Sequence, residues 1–461
     1  MTLAPCEQYA LDAAPEAARQ EMESALAATT AAQARAVFAR RLGMYRRVEE
    51  NRDPSTFLHL HECGGHLRPL FALWRLEKDE SIIQNALKVS ILRRQWAAAN
   101  LFRNYPDCNE VHHDPETFLY FQIPLLDITG EAGLTKSITD VADMAGNWAE
   151  GVPAWYDWET HGFRSTRLGS RRVEAEWPHD YQEANHFRII SIALAAYRHA
   201  RQDRYLELAV DYADRWRRHI AQCRAAGEPV VMQILPPGAT AVEMGHGGAL
   251  LKQPEPGQYM TFYTRVASNT AYDVIQGLQD VARLSGENRF LDAAGEALAQ
   301  FRENRDPATG RWPHSWSGGE WRTSSNGGKP PLAGDSNTFL ARAALRQAAL
   351  RPEDAGLRDD LAQWAESALQ GREPFEFAMN GLLFAGWAVT GREDFLAAGY
   401  RRLAAGMALT FSHPEYHICG ATTRPGYGLH VEWPLTLEAG YVDNGTRGSW
   451  PLRWPFELGK R

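Results

Sequence analysis

Six short polar turns divide most of the chain into a regular series of helical pairs. Each turn follows an apolar run and precedes a second run with helical periodicity, often opened by an aromatic residue such as Phe290 or Phe395. An amphipathic helix that docks on the preceding helix shows this pattern. Repetition of the unit predicts a row of αα-hairpins. The turns lie at residues 77–80, 129–131, 201–203, 285–288, 351–354 and 390–394.

The first helix of each hairpin is apolar almost all round, whereas its partner has one apolar stripe. An apolar surface on every side implies burial, so six inner helices are expected inside six outer helices. The sequence therefore predicts an all-α fold, an (α/α)6 toroid forming a single domain over residues 1–461. One or two lead-in helices are predicted at 8–48, the hairpins at 57–410 and a tail at 411–461. Inner helices are predicted at 57–76, 113–128, 182–200, 268–284, 335–350 and 375–389, and outer helices at 80–102, 132–149, 204–222, 288–303, 355–370 and 393–410.

Composition and charge argue against several classes of function. The net charge is −8 with both signs interspersed, and no basic run suggests nucleic acid or an acidic membrane surface as a partner. No run approaches the roughly 18 apolar residues of a membrane span, and the N-terminus does not resemble a signal peptide. The five cysteines are widely spaced and odd in number, which favours reduced thiols. We therefore expect a cytoplasmic protein.

One short segment contains possible metal ligands. His59 with Cys63, and Glu62 with His66, have the i,i+4 spacing of two ligands on a helix, and His61 lies between them. The segment matches no known zinc pattern, and its Gly-Gly pair would weaken a helix. A helix start with one histidine facing a cavity is the favoured interpretation, so we predict neither a metal nor another cofactor.

Long connections occur between hairpins and not within them. They span residues 103–112, 151–181, 223–267 and 304–334, and all emerge where inner helices begin. Long loops within a compact domain are usually functional. The same face gathers the free N–H groups and positive dipole ends of the inner helices. The sequence therefore predicts the functional site at this face.

These connections mix aromatic rings with ionisable side chains, as a sugar site requires, because rings stack on a pyranose and polar groups bind its hydroxyls. The alternative is that these side chains only anchor long loops. Ring stacking is predicted for Trp155, Trp158, Trp177 and Trp316, and contact with a sugar carboxylate for Arg164, His179 and Arg188. Further substrate-binding candidates are His113, Glu116, Asp157, His314, Tyr416 and His417.

The segment 112–114 before Phe118, with the turn at 129–131, resembles the His-Asp segment that opens an inner helix in unsaturated glucuronyl and rhamnogalacturonyl hydrolases of the six-hairpin glycosidase superfamily. The resemblance implies that Asp114 lies near the reacting sugar. It also implies a second Asp, the general acid and base, at the place where this chain has Asn185. Asn cannot exchange a proton at neutral pH, so either Glu183 or His186 takes this role or the reaction differs.

The sequence thus predicts a glycoside hydrolase acting on an acidic, uronate-containing oligosaccharide. Asp114 and Glu183 are the predicted carboxylate pair, with Glu116 and Asp157 as alternatives. A separation of about 6.5–9.5 Å would suit an inverting mechanism. Asp114, Glu183, His186, His314 and Tyr416 are expected to converge on one cavity.

A polysaccharide lyase is the main alternative. β-Elimination needs a neutralised carboxylate, for which Asn185 and Arg188 are candidates, and a base, for which His186 and Tyr181 are candidates. Toroidal lyases are similar, although many carry a β-sandwich domain for which this chain shows no sequence. Sugar epimerases and isomerases, which also use (α/α)6 barrels, remain a third possibility.

Overall fold

The computed structural model describes most of the chain from residue 2 to residue 411 and two short strands beyond it, and the statements below concern these parts. They are residues 2–12, 14, 16–51, 53–56, 58–59, 70–71, 73–74, 78–111, 113–176, 179, 182–227, 230, 234–235, 266–308, 310–313, 315–317, 320–322, 338–372, 377–411, 442–443 and 451–452.

Three helices precede the hairpins, where the sequence predicted one or two. They are α1 (Pro5–Asp12), α2 (Glu16–Leu26) and α3 (Ala31–Glu50). Both α2 and α3 pack against the outer helix of the sixth hairpin, and the ring of Phe38 lies 5.4 Å from that of Tyr400. The lead-in helices therefore join the beginning of the chain to the last hairpin.

The hairpins follow in the predicted order. The inner helix of the first is described only at residues 70–71 and 73–74, and its outer helix is α4 (Glu80–Asn100). The second has a π-helical turn (Phe118–Gln122) continuing into α5 (Ile123–Thr129), then α6 (Ala132–Ala145). The remaining pairs are α7 (His186–Ala200) with α8 (Asp203–Ala226), α9 (Ser268–Ser285) with α10 (Asn288–Glu303), α11 (Thr338–Leu350) with α12 (Ala355–Leu369), and α13 (Phe377–Thr390) with α14 (Glu393–Phe411).

Packing separates these helices into two layers. Along the inner layer α7 contacts α9, α9 contacts α11, and α11 contacts α13. Each outer helix from α4 to α12 also packs against the inner helix of the next hairpin. α7 is buried without interruption from His186 to Ala196, as expected for an inner helix that is apolar on most sides. The all-α hairpin toroid predicted from the sequence is confirmed, and the single domain remains a prediction.

Short β-ribbons tie the long connections to one another. β1 (Asn109–Glu110) pairs with β4 (Arg167–Leu168), and β2 (Tyr156–Asp157) with β3 (Gly162–Phe163). The remaining pairs are β5 (Gln182–Glu183) with β6 (Ile234–Leu235), β7 (Val266–Ala267) with β8 (Ser315–Ser317), β8 with β9 (Glu320–Arg322), and β10 (Val442–Asp443) with β11 (Pro451–Leu452). Strands from different long connections meet in three of these pairs, as expected if those connections share one face.

Two inner helices begin later than predicted. The third was expected from residue 182, but Gln182 and Glu183 are in a strand, and the helix starts at His186. The side chain of Gln182 accepts a hydrogen bond from Phe163 N at 2.8 Å, which holds the segment beside another ribbon. In the second, predicted from residue 113, helix begins at Glu116, and the π-turn separates this start from α5.

Ion pairs join the far ends of neighbouring inner helices. Asp127, near the end of α5, accepts hydrogen bonds from Arg198 Nη2 at 3.1 Å and lies 2.7 Å from His199 Nε2, both near the end of α7. Asp280 in α9 pairs with Arg346 in α11, and both are buried.

None of the helices described has the length and apolarity needed to cross a membrane.

Candidate active site

Asp114 lies buried in the turn that opens the second inner helix, with 4% of its surface exposed. Its Oδ1 accepts a hydrogen bond from Asn109 Nδ2 at 2.7 Å, and Asn109 is held in β1 by pairing with β4. Tyr105 is fully buried; burial and the negative charge of Asp114 raise its pKa well above the usual value. The carboxylate of Asp114 is therefore held in one orientation beside a neutral phenol.

A buried cluster of charges links the starts of three successive inner helices. Arg188 Nη1 donates to Glu116 Oε1 at 3.1 Å, and Arg188 Nε lies 3.8 Å from Asp273 Oδ2. Tyr120 adds a hydroxyl 3.3 Å from the same oxygen of Glu116. Burial of an ionised guanidinium requires such partners. The starts of the second, third and fourth inner helices are thereby held together.

Arg188 was predicted to meet a sugar carboxylate. In the structure its guanidinium faces two protein carboxylates, those of Glu116 and Asp273. Contact between Arg188 and a sugar carboxylate stays a prediction.

Asn185 lies just before α7 and is 2% exposed. Its backbone is right-handed helical, with φ of −65°, and its side chain does not cap the helix. Among the described residues, no donor lies within hydrogen-bonding distance of its Oδ1.

His186 lies in the core. Its ring stacks on Phe163 with 4.8 Å between centroids and meets Tyr212 edge-on at 6.3 Å. Its Nε2 lies 2.9 Å from the carbonyl oxygen of Ser165. This environment gives His186 a packing role between α7 and the β2–β3 hairpin.

The candidate residues in the connection 151–181 differ in burial and in their contacts. Trp155 is fully buried, and its Nε1 donates to Gly169 O at 2.9 Å, so it anchors the loop. Trp158 is 40% exposed and packs edge-on against Tyr156. Asp157 Oδ1 accepts hydrogen bonds from the backbone nitrogens of Glu159 and Thr160, so it stabilises the β2–β3 turn.

Three polar candidates lie nearer the surface. Arg164 is exposed, and His113 and His179 are half-buried. His179 Nε2 lies 3.8 Å from Glu174 Oε2.

Several predicted site residues lie outside the described parts of the chain. The predicted Asp114–Glu183 separation and the convergence on one cavity therefore remain predictions. Outside the described parts are Trp177, Tyr181, the side chain of Glu183, His314, the side chain of Trp316, Tyr416 and His417.

In the described part of the chain, no group of three or more His, Cys, Asp or Glu side chains is suited to holding a metal ion. His59 is exposed, whereas His61, Cys63 and His66 lie outside that part.

The sequence interpretation missed Asp273 and Asn109. Asp273 was detectable, because Asp273, Gln276 and Asp280 recur at helical spacing in a helix expected to be buried. Asn109 had no comparable signal, because its contact with Asp114 depends on the β1–β4 pairing.

Several solved structures resemble this fold, and two of them are described here. One is an unsaturated glucuronyl hydrolase with dGlcA-Glc-Rha-Glc, with a TM-score of 0.45 and 12% sequence identity over 77% of this chain and 86% of that one. The other is the Lin0763 protein from Listeria innocua, with a TM-score of 0.40 and 14% identity over 78% of this chain and 88% of that one. No family model and no curated protein matches the sequence. Since both TM-scores are below 0.5, the functional proposal rests on the chain's own residues.

Proposed function

We propose that this protein is a carbohydrate-active enzyme, a glycoside hydrolase acting on uronate-containing oligosaccharides, with Asp114 as a catalytic carboxylate. The supporting observation is the position of Asp114, which is buried at an inner-helix start and oriented by Asn109 at 2.7 Å. A carboxylate held in this way can transfer a proton or orient water at a glycosidic bond. The acidic oligosaccharide partner and the cytoplasmic location belong to this proposal.

The second carboxylate in the proposal is Glu183, whose backbone lies in β5, two residues before Asn185. Asn185 positions the sugar and transfers no proton. The exposed Arg164 and the half-buried His179 are proposed to meet the sugar carboxylate, because Arg188 already faces Glu116 and Asp273. In this proposal the acidic group lies toward solvent and the reacting bond lies near Asp114.

Hydrolysis is favoured over β-elimination by the environment of His186. A base must reach the proton that it removes, within hydrogen-bonding distance or through one water. His186 is fully buried between Phe163 and Tyr212 and contacts a main-chain carbonyl through Nε2. Elimination would then depend on Tyr181, and an epimerase would also need a base from elsewhere.

Product analysis tests the proposal. The wild type is incubated with saturated and unsaturated uronate oligosaccharides, and reducing ends, ultraviolet absorbance and product mass are followed. Hydrolysis gives new reducing ends without new absorbance. A rise in absorbance with saturated substrate would identify a lyase, and conserved mass with a changed sugar would identify an epimerase; either result overturns the proposal.

Matched variants test the role of Asp114. Asp114→Asn should lower the rate by roughly 10²–10⁴-fold while the protein stays folded. Asp107→Asn, on the same connection but beside the exposed Arg171, should keep wild-type turnover. Glu183→Gln should resemble Asp114→Asn, and Asn185→Ala should reduce activity less. Full activity of Asp114→Asn would contradict the assignment.

A further inference from the structure

Two amide oxygens are buried beside the Arg188–Asp273 pair. Asn185 Oδ1 and Gln276 Oε1 find no hydrogen-bond donor among the described residues, although these residues are only 2% and 4% exposed. Burial of an unsatisfied acceptor costs about 1–3 kcal/mol, and most such groups in native proteins have a partner. Two of them on adjacent inner helices are therefore candidates for contact with a bound molecule that supplies donors.

The contacts of α9 show where Gln276 points. Gly277 faces α7, since a Cβ there would lie 2.1 Å from the ring of Phe187. Gln279 faces α11, where its Nε2 donates to Ala343 O at 3.0 Å. At about 100° per residue, Gln276 falls between these two directions, and the apolar residues 274, 275 and 278 fall on the opposite side. Gln276 thus faces the axis of the inner layer.

The contacts of α7 place Asn185 on the same side. His186 and Phe187 pack against Tyr212 of the outer helix α8. Arg188 points away from them, toward Glu116 and Asp273. Because its backbone is helical, Asn185 lies one turn before Arg188 on that axial side.

We propose that Asn185 and Gln276 accept hydrogen bonds from two hydroxyl groups of one sugar ring seated against the Arg188–Asp273 pair, and that Gln276 is a specificity-determining residue. Both oxygens are acceptors, so the occupant must offer O–H donors and not a carboxylate at this point.

The spacing fits one ring. Asn185 lies one turn before Arg188 and Gln276 one turn after Asp273, so with Arg188 and Asp273 at one level the two positions differ by roughly 9 Å in height along the helices. A pyranose ring with one hydrogen bond of about 2.8 Å at each end bridges such a gap. The inference rests on the proposed function in taking the occupant to be the sugar of that substrate.

The test compares two glutamines on one helix. Binding of a glucuronate-containing disaccharide is measured calorimetrically in an Asp114→Asn background that prevents turnover. Gln276→Met should keep or raise the melting temperature, because a buried orphan acceptor is removed, and should weaken binding about 5- to 20-fold. Gln279→Met also removes an acceptor without a donor, but it loses the bonds from Nε2 to Ala343 and Gln347, so it should lower the melting temperature and leave the affinity unchanged.

A second measurement, on the Asp114→Asn protein with Gln276 intact, covers the case in which Gln276→Met does not fold. Deoxy analogues of methyl glucuronide, each lacking one hydroxyl, are tested in turn, and two of them should bind about 5- to 20-fold more weakly. Equal binding of all analogues, unchanged affinity of Gln276→Met, or no binding of the disaccharide overturns the inference. If the wild type binds the disaccharide but does not cleave it, the hydrolase proposal is rejected and the sugar contact stands. If the wild type cleaves the disaccharide but Gln276→Met binds it with unchanged affinity, the contact with Gln276 is rejected and the hydrolase proposal stands.

Discussion

Arg402, in the last helix, donates a hydrogen bond from Nε to Glu7, in the first helix, at 2.9 Å across 395 positions of sequence. Arg401 donates to the same oxygen at 2.8 Å. Arg402 Nη1 also donates to Ala368 O at 2.8 Å, at the end of α12. The buried carboxylate of Glu7 in α1 therefore contacts α14, and through Arg402 it is connected to the end of α12.

Replacement of Glu7 should destabilise the protein in a pH-dependent way. Burial opposes ionisation of Glu7, but Arg402 and Arg401 outweigh it and lower its pKa. A lowered carboxylate pKa adds stability above the unfolded value of about 4.3, and that stability is lost as pH falls through the folded value. Glu7→Gln should lose about 3 kcal/mol at pH 7 and much less below pH 4 in urea unfolding. A pH-independent difference would contradict this account.

Removal of Arg188 should be more damaging than removal of Glu116. Arg188→Met removes the guanidinium that both Glu116 and Asp273 face, whereas Glu116→Gln leaves Arg188 beside Asp273. Loss of one partner of a buried pair costs about 3–5 kcal/mol. The urea midpoint should fall further for Arg188→Met than for Glu116→Gln. Equal midpoints would show that Asp273 does not interact with Arg188.

His219 should make the protein less stable as pH falls from about 6.5 to about 4. Burial, with a smaller effect from Arg215, lowers its pKa from 6.5 to about 4. Between these values the unfolded chain binds a proton that the folded chain does not, so unfolding is favoured by up to about 3 kcal/mol. His219→Leu should flatten this part of the stability profile. His59→Gln, at an exposed position, is the control and should leave the profile unchanged.

Gly277 permits the close approach of two inner helices. A Cβ there would lie 2.1 Å from Phe187 Cδ1, so Gly277→Ala should destabilise by about 1–3 kcal/mol through overpacking. Phe187→Leu in the same chain should recover part of the loss by freeing space. The melting temperatures of both single variants and the double variant measure this coupling. Additive effects would show that the two side chains do not compete for this volume.

The hairpin pattern was readable from the sequence because its signals are local. Polar turns and helical periodicity set the ends of α9 and α10 to within one residue of the predicted 268–284 and 288–303. The start of α7 was set wrongly, because the β5–β6 pairing joins residues more than fifty positions apart. A helix can be inferred from its own residues, whereas a ribbon partner cannot.

The same distinction applies to the candidate site. His186 has the chemistry of a base, but the rings of Phe163 and Tyr212 and the carbonyl of Ser165 determine its environment. Trp155 has the chemistry of a sugar platform, but it is buried. Asp114 was found through the residues around it in sequence, whereas its partner Asn109 required the folded chain. Residue type suggested the chemistry, and long-range packing set the surroundings of each side chain.

The π-helical turn at Phe118–Gln122 sets the phase between the two ends of the second inner helix. Ile123 N–H bonds to Phe118 O, five residues back, so this turn holds one residue more than a regular α-helical turn. Deletion of Leu119 should therefore restore a regular turn and leave the directions of Asp114 and Glu116 relative to α5 unchanged. Helical circular dichroism and turnover should persist, whereas deletion of Leu125, in the regular part of α5, should rotate the two ends of the helix by about 100° and abolish turnover. The π-turn would then be what allows one extra residue without reorienting either carboxylate, and a folded but inactive Leu119 deletion variant would contradict it.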